Sequence, residues 1–233
     1  QRTVSSETEL RLVGRETRNL NLLTNVISMA AAGMLMVSSS LRIAAPQNDV
    51  DGNLFLVNRQ WTLSERFEPE TVDSGVKGQV RNMRPDAAAA LREMFAACKE
   101  ETGMTLVSVS GFRNFGKQSN IYRRKLKQVH GDVARAQEYV APPEASEHRL
   151  GLAMDIGQRD STGLTASFGK TKGGEWAREN SWRFGFILRY DEPWEDITGY
   201  KFEPWHFRYV GRENAKAIHD ADIPLETWLA EYP

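Results

Sequence analysis

The chain has 233 residues, which is long enough for one sizeable hydrophobic core and an additional terminal segment. A formal net charge of −1 at pH 7 argues against a polyanion-binding protein, so nucleic acid is not an expected partner. The single cysteine, Cys98, excludes an intramolecular disulfide framework and a zinc site made of several thiolates.

The first 50 residues are predicted to form an N-terminal extension. An apolar run over residues 20–37 has helical spacing, with a narrow polar stripe that includes Asn25. Its uninterrupted apolar part is shorter than the roughly 20 residues that a membrane span needs, so we favour burial against protein. Membrane proximity through this segment stays open as an alternative. A linker rich in turn-forming residues follows and predicts a second domain over residues 51–233.

Helices and strands follow one another irregularly in this second domain. Strands are predicted at 54–57, 105–110, 186–190 and 205–210, helices at 87–101, 117–129, 132–139, 175–180, 213–220 and 225–231, and a loop at 191–200. Because the two kinds of element do not alternate, the fold class is predicted to be α+β. Asp86 is predicted to cap the first of these helices and Gly103 to end it. Cys98 lies on the apolar face of that helix and is expected to be a buried hydrophobe.

Two short segments carry residue types that bind zinc. The first contains His148 and Asp155, and the second contains Glu203 and His206. Two imidazoles and one carboxylate would leave one coordination position of the zinc ion open for water, as in catalytic sites. Glu203 would then be free to act as a base. Each residue taken alone is equally compatible with an ordinary capping or solvated role. Spacing by itself therefore leaves both interpretations open.

The local sequence around these residues predicts how they are presented. Residues 151–156 alternate, with large apolar side chains on one face and Ala153 and Asp155 on the other, which leaves room above the sheet. Pro204 cannot donate to a strand ladder and favours a break. Glu203 is therefore expected to belong to the incoming loop, and His206 to begin the following strand.

Five motifs in a fixed order make the pattern much more specific than spacing does. They are Ser110-Gly111-Phe112-Arg113 followed by Gln118, Ser146-Glu147-His148 with Gly151-Leu152-Ala153 and Asp155, and residues 185–190, 197–200 and 203–211. With these motifs the chain resembles the VanY-type D-alanyl-D-alanine carboxypeptidases of the M15 zinc metallopeptidases. The resemblance extends from about Leu54 to the C-terminus. The first 50 residues or so show no match.

The resemblance implies a hedgehog-like α+β fold of the DD-peptidase type, built around a central antiparallel sheet flanked by helices. It implies that one Zn²⁺ ion is bound by the positions matching His148, Asp155 and His206. Glu203 matches the catalytic base of the family.

The resemblance also implies contacts with the substrate. Arg113 matches an arginine that steadies the substrate carbonyl and its developing oxyanion, while Gln118 and Ser146 match positions near the terminal residue of the substrate. Phe112 and Phe207 stand where tyrosine is common in the family. A lost phenol affects fine specificity, because it removes a hydrogen bond to substrate.

The implied function is zinc-dependent hydrolysis of the bond before the C-terminal D-alanine of peptidoglycan stem peptides. Such a substrate implies an extracytoplasmic location, in the bacterial cell envelope or secreted. Two alternatives use the same site for a different bond, in an L,D-carboxypeptidase or a peptidoglycan endopeptidase. A third alternative, from another class, is a non-catalytic binding module that zinc stabilises.

Overall fold

The computed structural model of the protein describes residues 49–159 and 162–231. The predicted N-terminal extension, with its apolar helix, falls almost wholly outside these residues, and the boundary near residue 50 remains a prediction. Among the helices that the structure describes, none combines the length and the apolar character needed to cross a membrane.

The described strands form two antiparallel sheets. The smaller sheet pairs β1 (Val72–Asp73) with β2 (Asn82–Met83). The larger sheet contains β3 (Leu106–Ser110), β4 (Ala153–Gln158), β5 (Phe186–Leu188) and β6 (His206–Tyr209) in the order β3-β4-β6-β5, and every neighbouring pair is antiparallel. This central sheet and the helices around it confirm the predicted α+β class.

Helices occur before, between and after the strands of the larger sheet. They are α1 (Pro85–Thr102), α2 (Phe115–Gln128), α3 (Val133–Gln137), α4 (Lys172–Asn180), α5 (Glu195–Thr198), α6 (Arg212–Ala221) and α7 (Leu225–Glu231). Short 3₁₀ turns lie at Pro143–Ala145, Glu147–Leu150, Ala166–Lys170, Ser181–Phe184 and Glu192–Trp194. The predicted helices are thus confirmed, with bounds that differ by a few residues.

Helix α1 packs one face against the core side of the larger sheet. Gly103 ends the helix as predicted, because its φ of 76° allows the left-handed conformation and its N–H donates to the carbonyl of Lys99. Cys98 is fully buried on the apolar face, as predicted. The predicted cap is wrong, because Arg84 occupies the N-cap position and Asp86 lies inside the first turn. Pro85 fixes this start, since proline is favoured at the first helical position.

The larger sheet has one apolar face and one polar face. Leu152, Met154 and Ile156 point from the region of β4 into the main hydrophobic core, as the alternating pattern predicted. Asp155 and His206 occupy the opposite face, where they are direct partners across β4 and β6. The polar face is buried as well, so its charged side chains need partners within the protein.

Two further predictions about local structure are wrong. Residues 54–57 form no strand, although Leu56 and Val57 are buried. The carbonyl of Phe55 accepts a hydrogen bond from the guanidinium of Arg208 at 2.9 Å, so a side chain takes the place of a ladder partner. The predicted loop at 191–200 contains a 3₁₀ turn and helix α5, since the Asp191 carboxylate accepts from the N–H of Glu192 and starts the turn.

Candidate metal centre and substrate cleft

Three potential metal ligands meet on the polar face of the larger sheet. His148, Asp155 and His206 are buried, and each offers one ligand atom within 4.8 Å of the other two. Asp155 Oδ1 is 3.3 Å from Nε2 of His148 and also 3.3 Å from Nδ1 of His206. The two strand residues owe this proximity to register, because Asp155 and His206 pair directly across β4 and β6.

His148 reaches the sheet from the 3₁₀ turn at Glu147–Leu150. Gly151 ends that turn with a φ of 70°, and a Cβ there would lie only 3.2 Å from the side chain of Thr71. The chain therefore needs glycine at the point where it turns back into β4. The turn places the His148 ring so that Nδ1 lies 2.8 Å from the Gly111 carbonyl. Since a carbonyl only accepts, Nδ1 must carry the proton and Nε2 is left free.

Two buried ligand atoms have no hydrogen-bond partner among the described residues. They are Nε2 of His148 and Oδ1 of Asp155, which face each other as two acceptors. Leaving such atoms unpaired in the interior costs about 1 to 3 kcal/mol each. A cation between them would remove this cost, so the residues present fit a metal ion.

The ring of His206 is held by a contact at Nε2, the nitrogen that points away from Asp155. Its Nε2 lies 3.2 Å from a carboxylate oxygen of Glu147, which leaves Nδ1 directed at Asp155. A carboxylate behind a ligating histidine fixes the ring and its protonated nitrogen, an arrangement common in zinc sites. Both imidazoles therefore have their outer nitrogen held and their inner nitrogen turned to the same point.

Glu203 stands beside the three ligands without belonging to the group. Its Oε2 is 3.6 Å from Nδ1 of His206, and its side chain is 13% exposed. The N–H of His206 donates to the carbonyl of Glu203 at 3.0 Å, which closes a turn around Pro204. This confirms that Glu203 belongs to the incoming loop and that β6 starts at His206. Burial raises the pKa of Glu203 to about 8, although nearby His206 acts in the opposite direction.

The electrostatic state of the ligands follows from burial and from close charges. Burial and the neighbouring Arg113 lower the pKa of His148 to about 4, so its imidazole is neutral as a ligand must be. In the metal-free protein the carboxylates of Asp155 and Glu147 raise the pKa of His206 to about 9, although burial acts in the opposite direction. A metal ion at Nδ1 would displace the proton from that nitrogen. Burial would raise the pKa of Asp155, yet the histidines and Arg113 hold it well below its usual range.

The ligands open into a cleft of about 270 Å³ that also contains the expected substrate residues. Arg113 lies there with Nη1 3.9 Å from Asp155 Oδ2, and its buried Nε has no partner among the described residues. Gln118 donates from Nε2 to the Ala141 carbonyl at 2.8 Å, while its Oε1 is unpartnered. Ser146 is buried at the cleft wall. All seven residues singled out from the sequence therefore come together.

A comparison with protein families decides where this site belongs. The model described as VanY, D-alanyl-D-alanine carboxypeptidase, matches residues 80–212, more than half of the chain and the whole of the site. The chain belongs to the VanY family. Among its relatives, YodJ of Bacillus subtilis (strain 168) is 43% identical over 185 residues, which are 76% of this chain and 66% of YodJ. The chain thus spans just under two thirds of that relative's length.

Solved structures support the same placement within the VanY family. The structure of the LdcB LD-carboxypeptidase shares 41% identity with a TM-score of 0.72, covering 78% of this chain and 87% of that one. A D,D-pentapeptidase VanY from a VanB-type resistance cassette, in complex with Zn(II), shares 33% identity with a TM-score of 0.64 and covers 76% of this chain and 98% of that one. These likenesses confirm the predicted DD-peptidase-type fold, and the zinc-bound structure agrees with zinc as cofactor.

Several buried residues around this VanY-family site were not predicted to take part in it. Glu147 and Arg189 each lie within one of the five motifs, without a predicted role at the site. Both are buried, as is Arg208, and all three meet in one charge network. Tyr200 lines the cleft with a buried hydroxyl that has no partner among the described residues. The position of Glu147 beside His148 was the available signal, but its partners lie far away in sequence.

Proposed function

We propose that this VanY-family chain is a zinc-dependent carboxypeptidase that removes the C-terminal D-alanine from peptidoglycan stem peptides. The observation that carries the proposal is the convergence of His148, Asp155 and His206 on one point, with two unpartnered buried ligand atoms and Glu203 beside them. Because peptidoglycan lies outside the cytoplasmic membrane, the proposal includes an extracytoplasmic location, in the cell envelope or secreted.

The metal would be held by Nε2 of His148, Oδ1 of Asp155 and Nδ1 of His206. Bound there, zinc supplies Lewis acidity, which polarises a carbonyl and lowers the pKa of a water molecule toward about 7. Three protein ligands leave a coordination position open, which is typical of catalytic zinc sites and not of structural ones.

Glu203 would move the proton during hydrolysis. Its carboxylate accepts a proton from the attacking water and later delivers it to the amine that leaves as free D-alanine. Burial raises the pKa of Glu203 in the metal-free protein, and a cation bound beside it would lower that pKa again and favour the carboxylate that accepts the proton. The turn around Pro204 fixes Glu203 beside the ligands, so little reorganisation is needed.

Arg113, Gln118 and Ser146 would bind and orient the end of the substrate. The Arg113 guanidinium is buried at the cleft wall with a free Nε–H, and it would donate to the oxygen that gains negative charge as the carbonyl is attacked. The free Oε1 of Gln118 is an acceptor suited to a substrate N–H. The hydroxyl of Ser146 can donate to the terminal residue from the same wall.

A second candidate for the bond cleaved is the L,D bond of a stem tetrapeptide. The observation that favours it is the similarity to the LdcB structure, which exceeds the similarity to the VanY structure in both identity and TM-score. The same ligands, base and arginine serve either bond. The choice depends on how the cleft receives the residue before the terminal D-alanine.

Mass analysis of defined peptides tests the proposal. The zinc-loaded and the chelated protein would each be incubated with a stem pentapeptide ending in D-Ala-D-Ala, a tetrapeptide ending in one D-alanine, and a crosslinked muropeptide. Loss of one alanine from the pentapeptide, only with metal, supports a D,D-carboxypeptidase, and loss from the tetrapeptide supports the L,D candidate. Cleavage of the crosslink alone would point to an endopeptidase. Stoichiometric zinc without any product would replace the enzyme by a binding module.

A further inference from the structure

We propose that Glu147, Arg189 and Glu226 are positioning residues for the metal centre, forming a chain of charges from partly buried Glu226 on the C-terminal helix α7 to the buried imidazole of His206. None of the three reaches the point where the ligand atoms meet. The inference rests on the proposed metal site, because it assigns His206 the role of a ligand.

The first link is the contact between Glu147 and the outer nitrogen of His206. Glu147 Oε2 lies 3.2 Å from His206 Nε2, and both side chains are buried. The other oxygen of Glu147 accepts from Arg189 Nε at 2.7 Å and from Arg208 Nη1 at 2.9 Å. Glu147 is therefore held by two guanidinium groups and cannot turn away from the imidazole without breaking charged hydrogen bonds.

The second link joins Arg189 to helix α7. The Nη1 and Nη2 atoms of Arg189 donate to the two carboxylate oxygens of Glu226 at 2.8 and 2.6 Å. Such a bidentate ion pair fixes the plane of the guanidinium as well as its position. Because Arg189 Nε points at Glu147, this plane also determines where Glu147 lies. The orientation of His206 thus depends on a carboxylate in the last described helix.

A second contact transmits the same constraint. The N–H of Arg189, directly after the end of β5, donates to the carbonyl of His206 at 3.1 Å, so the two residues lie side by side. The ring of Tyr190 lies 4.8 Å from the imidazole of His206, and the guanidinium carbon of Arg189 lies 4.9 Å from the centre of that same ring. The Glu147 carboxylate and the Tyr190 ring, which both contact the imidazole of His206, are therefore both in contact with Arg189.

The charge balance explains why removing the Glu226 carboxylate would disturb the position of the His206 imidazole. The guanidinium groups of Arg189 and Arg208 compensate the carboxylates of Glu147 and Glu226. Arg208 also donates from Nη2 to the carbonyls of Asn53 and Phe55 and from Nε to the carbonyl of Tyr209. A buried charge that loses its partner is costly and drives rearrangement. Without the Glu226 carboxylate, Arg189 would pair with Glu147 more closely. The Glu147 carboxylate would then move away from the His206 imidazole.

The test compares two substitutions in the same helix. Glu226→Gln removes the charge at the end of the chain, and Glu231→Gln removes an exposed charge of α7 as the matched control. Zinc affinity would be measured by competition with a fluorescent chelator. Replacing an outer-shell partner of a zinc ligand lowers affinity by about 10- to 100-fold. We expect a loss in that range for Glu147→Gln, a loss of roughly three- to tenfold for Glu226→Gln because it acts through Arg189 and Glu147, and none for Glu231→Gln.

Nitrogen-15 spectra of the histidine rings separate positioning from a purely structural role. In the zinc-loaded protein the Nε2–H signal of His206 should shift in Glu226→Gln and stay unchanged in Glu231→Gln. Zinc affinity of Glu226→Gln within twofold of the control, together with an unshifted signal, would overturn the proposal even if the variant melts at a lower temperature. If Glu226→Gln does not fold, Arg189→Lys is the second variant, because it keeps the positive charge but loses the bidentate ion pair with Glu226. A wild-type protein that binds no zinc would instead refute the proposed metal site.

Discussion

Asp155 and His206 face each other across antiparallel strands β4 and β6, with Asp155 Oδ1 3.3 Å from His206 Nδ1. Two of the three proposed metal ligands thus stand on hydrogen-bonded strands of the central sheet. His148 comes from a 3₁₀ turn that a hydrogen bond to the Gly111 carbonyl fixes at 2.8 Å. A site supported in this way is largely formed before metal or substrate binds.

Substituting His206 by alanine should abolish stoichiometric zinc binding. The variant loses one of three ligand atoms, and the remaining pair cannot complete a site of the usual geometry. Metal analysis after gel filtration should give about one zinc per wild-type chain and far less for the variant. His130→Asn is the control, because His130 is exposed and asparagine tolerates its φ of 54°. Unchanged zinc in His206→Ala would exclude His206 as a ligand.

Substituting Glu203 by glutamine should separate metal binding from turnover. Glutamine keeps the size of the side chain but cannot accept the proton from water, so kcat for alanine release should fall by about 10²- to 10⁴-fold. Zinc content should stay at the wild-type level, since Glu203 lies beside the ligand group without belonging to it. A variant with full zinc and near-wild-type kcat would rule out Glu203 as the base.

Arg113→Lys should lower kcat by about 10²-fold with a smaller effect on KM. Lysine keeps the positive charge near Asp155, but it has no planar guanidinium to donate to an oxyanion at the cleft wall. The measurement is steady-state release of alanine, with zinc content measured in parallel. A rise in KM at unchanged kcat would show that Arg113 binds substrate and transition state equally.

Zinc should stabilise the folded protein. At a free zinc concentration 100 times the dissociation constant, binding adds about 2.7 kcal/mol, which corresponds to a rise in melting temperature of roughly 5 to 10 °C for a domain of this size. Asp155→Asn replaces the charged ligand by a neutral one and should show a much smaller rise. The check is thermal unfolding with and without a chelator. Equal rises in both proteins would contradict the role of Asp155.

Cys98 should be unreactive in the native protein. The thiol is fully buried in α1, and burial raises its pKa, so little thiolate is present or accessible at neutral pH. Ellman's reagent should detect no thiol in buffer and one per chain in denaturant. Rapid labelling of the folded protein would show that α1 opens readily.

Much of the site's local geometry could be predicted from the sequence. The alternation around Asp155 placed it on the small-residue face of a strand, and Pro204 separated Glu203 from the strand that begins at His206. Both predictions succeeded because they depend on the two-residue period of a strand and on the missing N–H of proline. The strand predicted at residues 54–57 failed, because the carbonyl of Phe55 binds the distant guanidinium of Arg208, which no local pattern reveals.

The sequence by itself determined which residues could bind metal and how each is presented by its own segment. Only the tertiary structure decided which of them meet. The register of β4 against β6 places Asp155 opposite His206, and packing of α7 brings Glu226 to Arg189 and so to Glu147 behind the imidazole. The physical reason is that a buried charge must find its partner wherever the fold provides one, and these partners are separated by 37 to 59 residues.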